Sequence, residues 1–161
     1  MVVLSGPASG QAKAAEILQM QTVVVDLDTG DIAAKRAHLE RHLGPPTMVV
    51  ESGGVTPEGQ RKAHVWWKLT EPAEGSDIAR VTRIRGDIAA KVGGDMHFRS
   101  AHQPIRVPGT VYHKGGLTRQ VQIREACELE VDLTETAERV ADMPPLPGIG
   151  MATVDPREKP A

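Results

Sequence analysis

Val23-Val24-Val25-Asp26-Leu27-Asp28-Thr29-Gly30 is a β-branched apolar run that ends in two carboxylates two residues apart. Three successive valines fit a buried strand, and side chains alternate along a strand. Asp26 and Asp28 therefore project from one face while Leu27 turns back toward the core. Two carboxylates held side by side repel, and the pair is costly unless a cation sits between them. Oxygen ligands on a rigid strand end suit Mg²⁺ or Mn²⁺, which points to metal-assisted phosphoryl or nucleotidyl chemistry. The competing assignment is a cap. Aspartates at a strand exit often serve only the next helix, and Thr29, Gly30 and Asp31 supply a turn and an N-cap.

Beyond the pair, Ile32, Ala33, Ala37, Leu39 and Leu43 recur near 3.6 residues among Lys35, Arg36, Glu40 and Arg41, which predicts an amphipathic helix. Gly44-Pro45-Pro46 stops it. Thr47 to Glu51 reads as a second strand, so strand, helix and strand form a crossover unit in an α/β or α+β sheet. Ser52-Gly53-Gly54 follows, then a polar loop, then a third strand from Ala63 to Leu69 that carries His64 near its start. Glycines at such a lip let backbone N–H groups approach a phosphate, and Ser52 adds a hydroxyl. Taken singly, Ser-Gly-Gly is an ordinary turn and one histidine an ordinary structural residue. Trp66 and Trp67 face opposite sides, so at least one belongs to the core.

Asp77 to Val92 predicts a helix with Ile78, Val81, Ile84, Ile88 and Val92 as its core stripe and its arginines on a solvated face. Gly93-Gly94 ends it and Asp95 follows at once. Gln103 to Lys114 is a proline-stiffened loop carrying Arg106, His113 and Lys114, an arrangement suited to gripping a triphosphate. Arg119 to Arg124 and Glu128 to Leu133 read as strands, and Glu135 to Ala141 as a short helix. Cys127 between them is expected to be buried and inert.

Length and charge bound the rest. A chain of 161 residues makes one ordinary domain, divided by composition into a lead-in over 1–20, a core over 21–142 and a Pro/Gly-rich tail or linker over 143–161. Nineteen basic against 21 acidic residues give a net charge of −2, so no global basic field advertises nucleic acid. A lone cysteine excludes a disulfide framework and a cysteine-based zinc site, and fits a reducing cytosol. No apolar run approaches a membrane span, so no membrane partner is expected. Four aromatic residues are too few for a broad base-stacking platform.

The ordered combination resembles one family. Asp-Leu-Asp, then Ser-Gly-Gly with a histidine on the following strand, then Asp95 eleven residues before Arg106-Val107-Pro108-Gly109-Thr110-Val111-Tyr112-His113-Lys114, is similar to the primase-polymerase domain of the archaeo-eukaryotic primase superfamily, in its phage and plasmid replication-protein type. The resemblance covers about residues 17 to 142. It implies a mixed β-sheet with flanking helices and an RRM-like catalytic core. It implies that Asp26, Asp28 and Asp95 ligate two Mg²⁺ or Mn²⁺ ions, that His64, Ser52 and Gly53 form the nucleotide site, and that Arg106 and Lys114 contact phosphates. The implied activity is DNA primase or primase-polymerase, a two-metal, template-directed nucleotidyl transfer. Single-stranded DNA template and NTP or dNTP are then its partners, with a replicative helicase or an upstream module as a further partner.

Two departures from the family pattern stand out. Val55 to Lys62 lengthen the loop between lip and histidine, and about twenty residues precede the Asp-x-Asp strand where the family has tens. The expected alternative is a catalytically inactive nucleic-acid-binding or replication-assembly module on the same fold. A haloacid-dehalogenase-type phosphatase also ends a strand in Asp-x-Asp, but it places Thr or Val where Gly30 stands. A nucleotide-sugar transferase gives no reason for the Arg106 to Lys114 loop.

Overall fold

The computed structural model describes residues 2–4 and 13–149. The turn expected at Ser5 to Gly10 and most of the tail, from residue 150 on, lie outside the described residues. Among the described residues eight strands and three helices follow in order: β1 (Val2–Leu4), β2 (Ile17–Leu27), α1 (Ile32–Leu43), β3 (Met48–Val55), β4 (Arg61–Glu74), α2 (Ser76–Val92), β5 (Val111–Lys114), β6 (Leu117–Gln120), β7 (Gln122–Ala126), β8 (Glu130–Val131) and α3 (Leu133–Asp142). A 3-10 turn at Ala14–Glu16 leads into β2, and another at Met96–Arg99 follows α2.

The main sheet runs β1-β2-β4-β3-β7, and β8 adds to β4 in parallel. Both β2 and β3 are antiparallel to β4. The β2-α1-β3 unit is therefore the expected crossover, with β4 inserted between its two strands. The result is a mixed α+β architecture.

All three helices bury their apolar stripes against one face of this sheet. Val23, Val25, Leu27, Val49, Val65 and Trp67 meet Leu39, Leu43, Val81, Ile88 and Val140 in a single core. Trp67 is 1% exposed, and its indole N–H donates to the Gly44 carbonyl (3.2 Å) at the end of α1. Pairing sets Asp26, His64 and Val50 abreast on the opposite face, with Val24, Trp66 and Met48 in the next row. The site residues therefore lie on the face away from the helices, as strand alternation requires. Among the described residues no helix is long and apolar enough to cross a membrane.

Several expectations are corrected. On α1, Ala33 and Ala37 are exposed and Lys35 takes their place in the buried stripe with Ile32, Leu39 and Leu43. On α2, Arg85 is 5% exposed rather than solvated. Burial without a carboxylate partner pulls its guanidinium down to about 10, and it donates to the Thr22 carbonyl (2.7 Å) on β2. Cys127 is exposed, because the chain leaves the sheet edge there and its thiol donates to the Pro46 carbonyl at 3.3 Å. The strand expected over Arg119 to Arg124 is broken at the buried Val121, which ends the β5–β6 hairpin and begins the edge strand β7.

Candidate active site

Two chain segments bring three carboxylates together. Asp26 is the penultimate residue of β2 and Asp28 the first beyond it. Asp31, not either of these, caps α1: its carboxylate accepts the Ala34 N–H (3.0 Å) and the Gln60 side-chain amide (3.0 Å). The cap requirement at the strand exit is thereby met, which leaves Asp26 and Asp28 without that duty.

Asp95 arrives from the far end of α2. Gly93 closes the helix at φ 65°, and the Asp95 N–H then donates to the Asp26 carbonyl at 3.0 Å. This backbone approach depends on Gly94. A Cβ there would stand 2.8 Å from Val25 Cγ2 and 3.1 Å from the Asp26 oxygen. The Asp95 carboxylate caps the following turn, accepting from the His97 N–H (2.9 Å), and lies 2.7 Å from His97 Nδ1.

Crowding leaves an electrostatic mark on the cluster. The Asp28 carboxyl is raised above the ordinary carboxylate range by burial first and then by the Asp26 charge; Lys62 opposes the rise and Asp95 adds to it. Asp26 Oδ1 is buried with no hydrogen-bond partner. His64, directly across from Asp26 in the register and 2% exposed, brings Nε2 to 3.6 Å from that oxygen, too far for a hydrogen bond. Its Nδ1 is also without a partner. The His64 ring rests near Phe98, with centroids 5.9 Å apart. Unpaired buried polar atoms each cost about 1–3 kcal/mol, and two of them fall on the cross-strand pair Asp26 and His64.

The glycine lip is closed by protein side chains. Gly53 has φ 91°, and a Cβ there would lie 2.5 Å from the Tyr112 Cβ, so the glycine admits Tyr112. Arg119 donates to the Gly53 carbonyl (3.3 Å), and Arg106 stacks on the Tyr112 ring at 4.7 Å. The β5–β6 hairpin is thus fastened onto β3, and Tyr112 on it holds Arg106 from the preceding loop beside the lip. The loop before it is pinned at Gly109 N–H to Val121 O (2.8 Å) and Val121 N–H to Thr110 O (2.9 Å). Ser52 is 2% exposed, and its hydroxyl reaches across to the Lys62 carbonyl at 3.4 Å. Lys114 stands exposed at the hairpin tip before Gly115 and Gly116. Among the described residues it makes no ion pair and does not join the carboxylates.

The structure therefore gathers Asp26, Asp28, Asp95 and His64, and separately joins Ser52, Gly53 and Arg106 at the lip. Among the described residues no three His, Cys or carboxylate side chains are arranged to hold a metal ion as they stand. The donor chemistry nevertheless suits a hard cation: an unpartnered Asp26 oxygen beside two further carboxylates, one of them raised by burial and then by like charge. Lys35, Lys62, Gly94 and Tyr112 escaped the sequence reading. Only the Gly93-Gly94-Asp95 order carried a signal for one of them, since a double glycine before an acid allows the close approach seen at Gly94.

No protein-family model and no curated protein matches the chain. Among solved structures it is similar to the AEP domain of the cyanophage S-2L primase-polymerase, with 22% identity and a TM-score of 0.65 over 86% of this chain and 68% of that one. At that identity the likeness speaks for architecture, and the sheet, the helical layer and the hairpin described above together give this chain the fold of a primase-polymerase AEP domain.

Proposed function

We propose that this chain is a nucleotidyltransferase domain of the archaeo-eukaryotic primase superfamily, making or extending a strand on single-stranded DNA from NTP or dNTP in phage, plasmid or mobile-element replication. The observation that carries the reading is the unpartnered Asp26 Oδ1 beside His64 and two further carboxylates, on a fold shared with a primase-polymerase AEP domain. Asp26, Asp28 and Asp95 would hold two divalent cations, Mg²⁺ or Mn²⁺. Bound there, such cations stabilise the attacking and leaving oxygens of an in-line displacement.

The protein's own share is placement. β2 and the Gly94 approach fix three carboxylates against one backbone. His64, held between two strands and against Phe98, offers a ring N–H to a phosphate oxygen, and Arg106, steadied on Tyr112, offers a fork of donors beside the lip. Ser52, Gly53 and Lys114 complete the proposed nucleotide contacts, Lys114 from its exposed place at the hairpin tip. A replicative helicase or an upstream module would act as partner, in a bacterial or host cytosol.

One observation favours a second reading, an inactive nucleic-acid-binding or assembly module. The Asp95 carboxylate is already engaged by His97. Titration calorimetry of a nucleoside triphosphate with Mn²⁺ decides between metal-dependent nucleotide binding and a mere scaffold. The parent is expected to bind only with metal, and Asp26→Ala/Asp28→Ala and His64→Ala are each expected to lose binding by tenfold or more, about 1.4 kcal/mol or more. Primer synthesis on single-stranded DNA then separates enzyme from inactive module. A folded parent without metal-dependent binding refutes the catalytic reading.

A further inference from the structure

Lys35 is an anomaly in α1. It is 6% exposed and lies in the buried stripe with Ile32, Leu39 and Leu43. Burying an ammonium is costly, and an apolar side chain of like length would fill the same space at no such cost. What the ammonium does there is specific. Its Nζ donates to the Thr29 carbonyl at 2.7 Å and to the Gly93 carbonyl at 2.6 Å. Thr29 follows Asp28 directly, and Gly93 is two residues before Asp95. One point donor on a helix therefore ties together the two loops that carry these carboxylates. Burial pulls the lysine down, and the nearby Asp28 charge opposes that pull. At the Gly93 corner, a Cβ would meet Ile149 Cδ1 at 3.0 Å and Lys35 Nζ at 3.4 Å, so the chain beyond α3 packs over the clasp.

We infer that Lys35 is a positioning residue, a buried clasp whose ammonium sets the spacing of Asp28 and Asp95 and thereby the affinity of their site for divalent metal. The inference rests on the metal-binding reading above. Arginine does not replace it, because its longer side chain and rigid planar fork do not match a space that fits a compact ammonium between the two carbonyls. Residues that orient metal ligands from behind are worth about 10–100-fold in metal affinity, and that is the loss expected here.

The test compares Lys35→Met with Leu39→Ala, a cavity-forming change in the same helix at a residue 0% exposed. Two quantities are measured on each folded chain: Mn²⁺ affinity, and exchange of the Asp95 amide that donates to Asp26. K35M is expected to lose at least about tenfold in Mn²⁺ affinity and to exchange the Asp95 amide at least tenfold faster. L39A lowers the melting temperature but keeps both within about twofold. Mn²⁺ affinity and amide exchange unchanged in K35M would overturn the clasp, as would equal losses in L39A, which would make the effect one of general stability. Should K35M fail to fold, Lys35→Arg is read in the same two ways with the same expected losses. A parent that binds no Mn²⁺ refutes the metal reading alone, and the amide exchange still decides whether Lys35 holds the two loops together.

Discussion

At the scale of single residues, the carboxylate pair was legible because strand alternation forces Asp26 and Asp28 to one side whatever else the chain does. The energetic consequence can be tested directly. Asp28 has its proton affinity raised in the folded chain by burial and by Asp26. The folded state therefore holds that proton more tightly than the unfolded one. Asp28's favourable contribution to stability is complete below the unfolded carboxylate range, about pH 3.9, and is lost as pH rises through the raised value. At neutral pH the ionised group works against folding. Asp28→Asn is accordingly expected to raise the melting temperature at pH 7, about 2–4 °C for each kcal/mol of repulsion relieved, and to flatten its dependence between neutrality and mild acid, while Mn²⁺ binding disappears. A lower melting temperature at pH 7 would count against the crowding. Lys35 was not legible in this way. A lysine in an amphipathic pattern is assigned to solvent by default, and only the two carbonyls it meets, 58 residues apart at Gly93 and 6 apart at Thr29, show otherwise.

At the scale of elements, β2, α1, β4 and α2 could be read because each repeats a period long enough to register. The stretch from Asp95 to Ala126 was legible only in part, as a loop and one strand over Arg119 to Arg124, without its 3-10 turn or its hairpin. It consists of a 3-10 turn, a pinned loop and four- or five-residue strands, too short to repeat a period, and the partner of β7 is the distant β3. The junctions between elements have sharper requirements than the elements themselves. Gly94 is such a junction: any side chain there collides with Val25 and the Asp26 carbonyl. Gly94→Ala is expected to destabilise the chain by about 1–3 kcal/mol, read from urea unfolding, and to weaken Mn²⁺ binding because Asp95 is displaced from Asp26. If G94A matches the parent in both, the backbone pairing of Asp95 with Asp26 is not what assembles the site.

For the molecule as a whole, the sheet divides the labour. The helices and the apolar core occupy one face, and the carboxylates, His64 and the lip occupy the other, so the chemistry sits on a surface whose rigidity is supplied from behind. The chain beyond α3 belongs to that support. Met143 is 1% exposed within the core, and the Leu146 N–H donates to the Lys91 carbonyl (2.8 Å) at the end of α2. Lys91 in turn donates to the Val140 and Ala141 carbonyls, and Ile149 reaches the Gly93 corner beside Lys35. Its composition of prolines and glycines suggested a linker, because composition reports on backbone freedom and says nothing of two well-placed apolar side chains, Met143 and Ile149. A chain ended after Asp142 is therefore expected to lose at least about 2 kcal/mol from the emptied Met143 site alone, a fall in melting temperature of about 4–8 °C. Mn²⁺ affinity should fall with it, because the Gly93 corner loses its cover and the loop that carries Asp95 loosens. Ending the chain after Ile149 should change neither. If both truncations behave like the parent, the support for the site ends with α3, and the clasp at Lys35 stands without a cover.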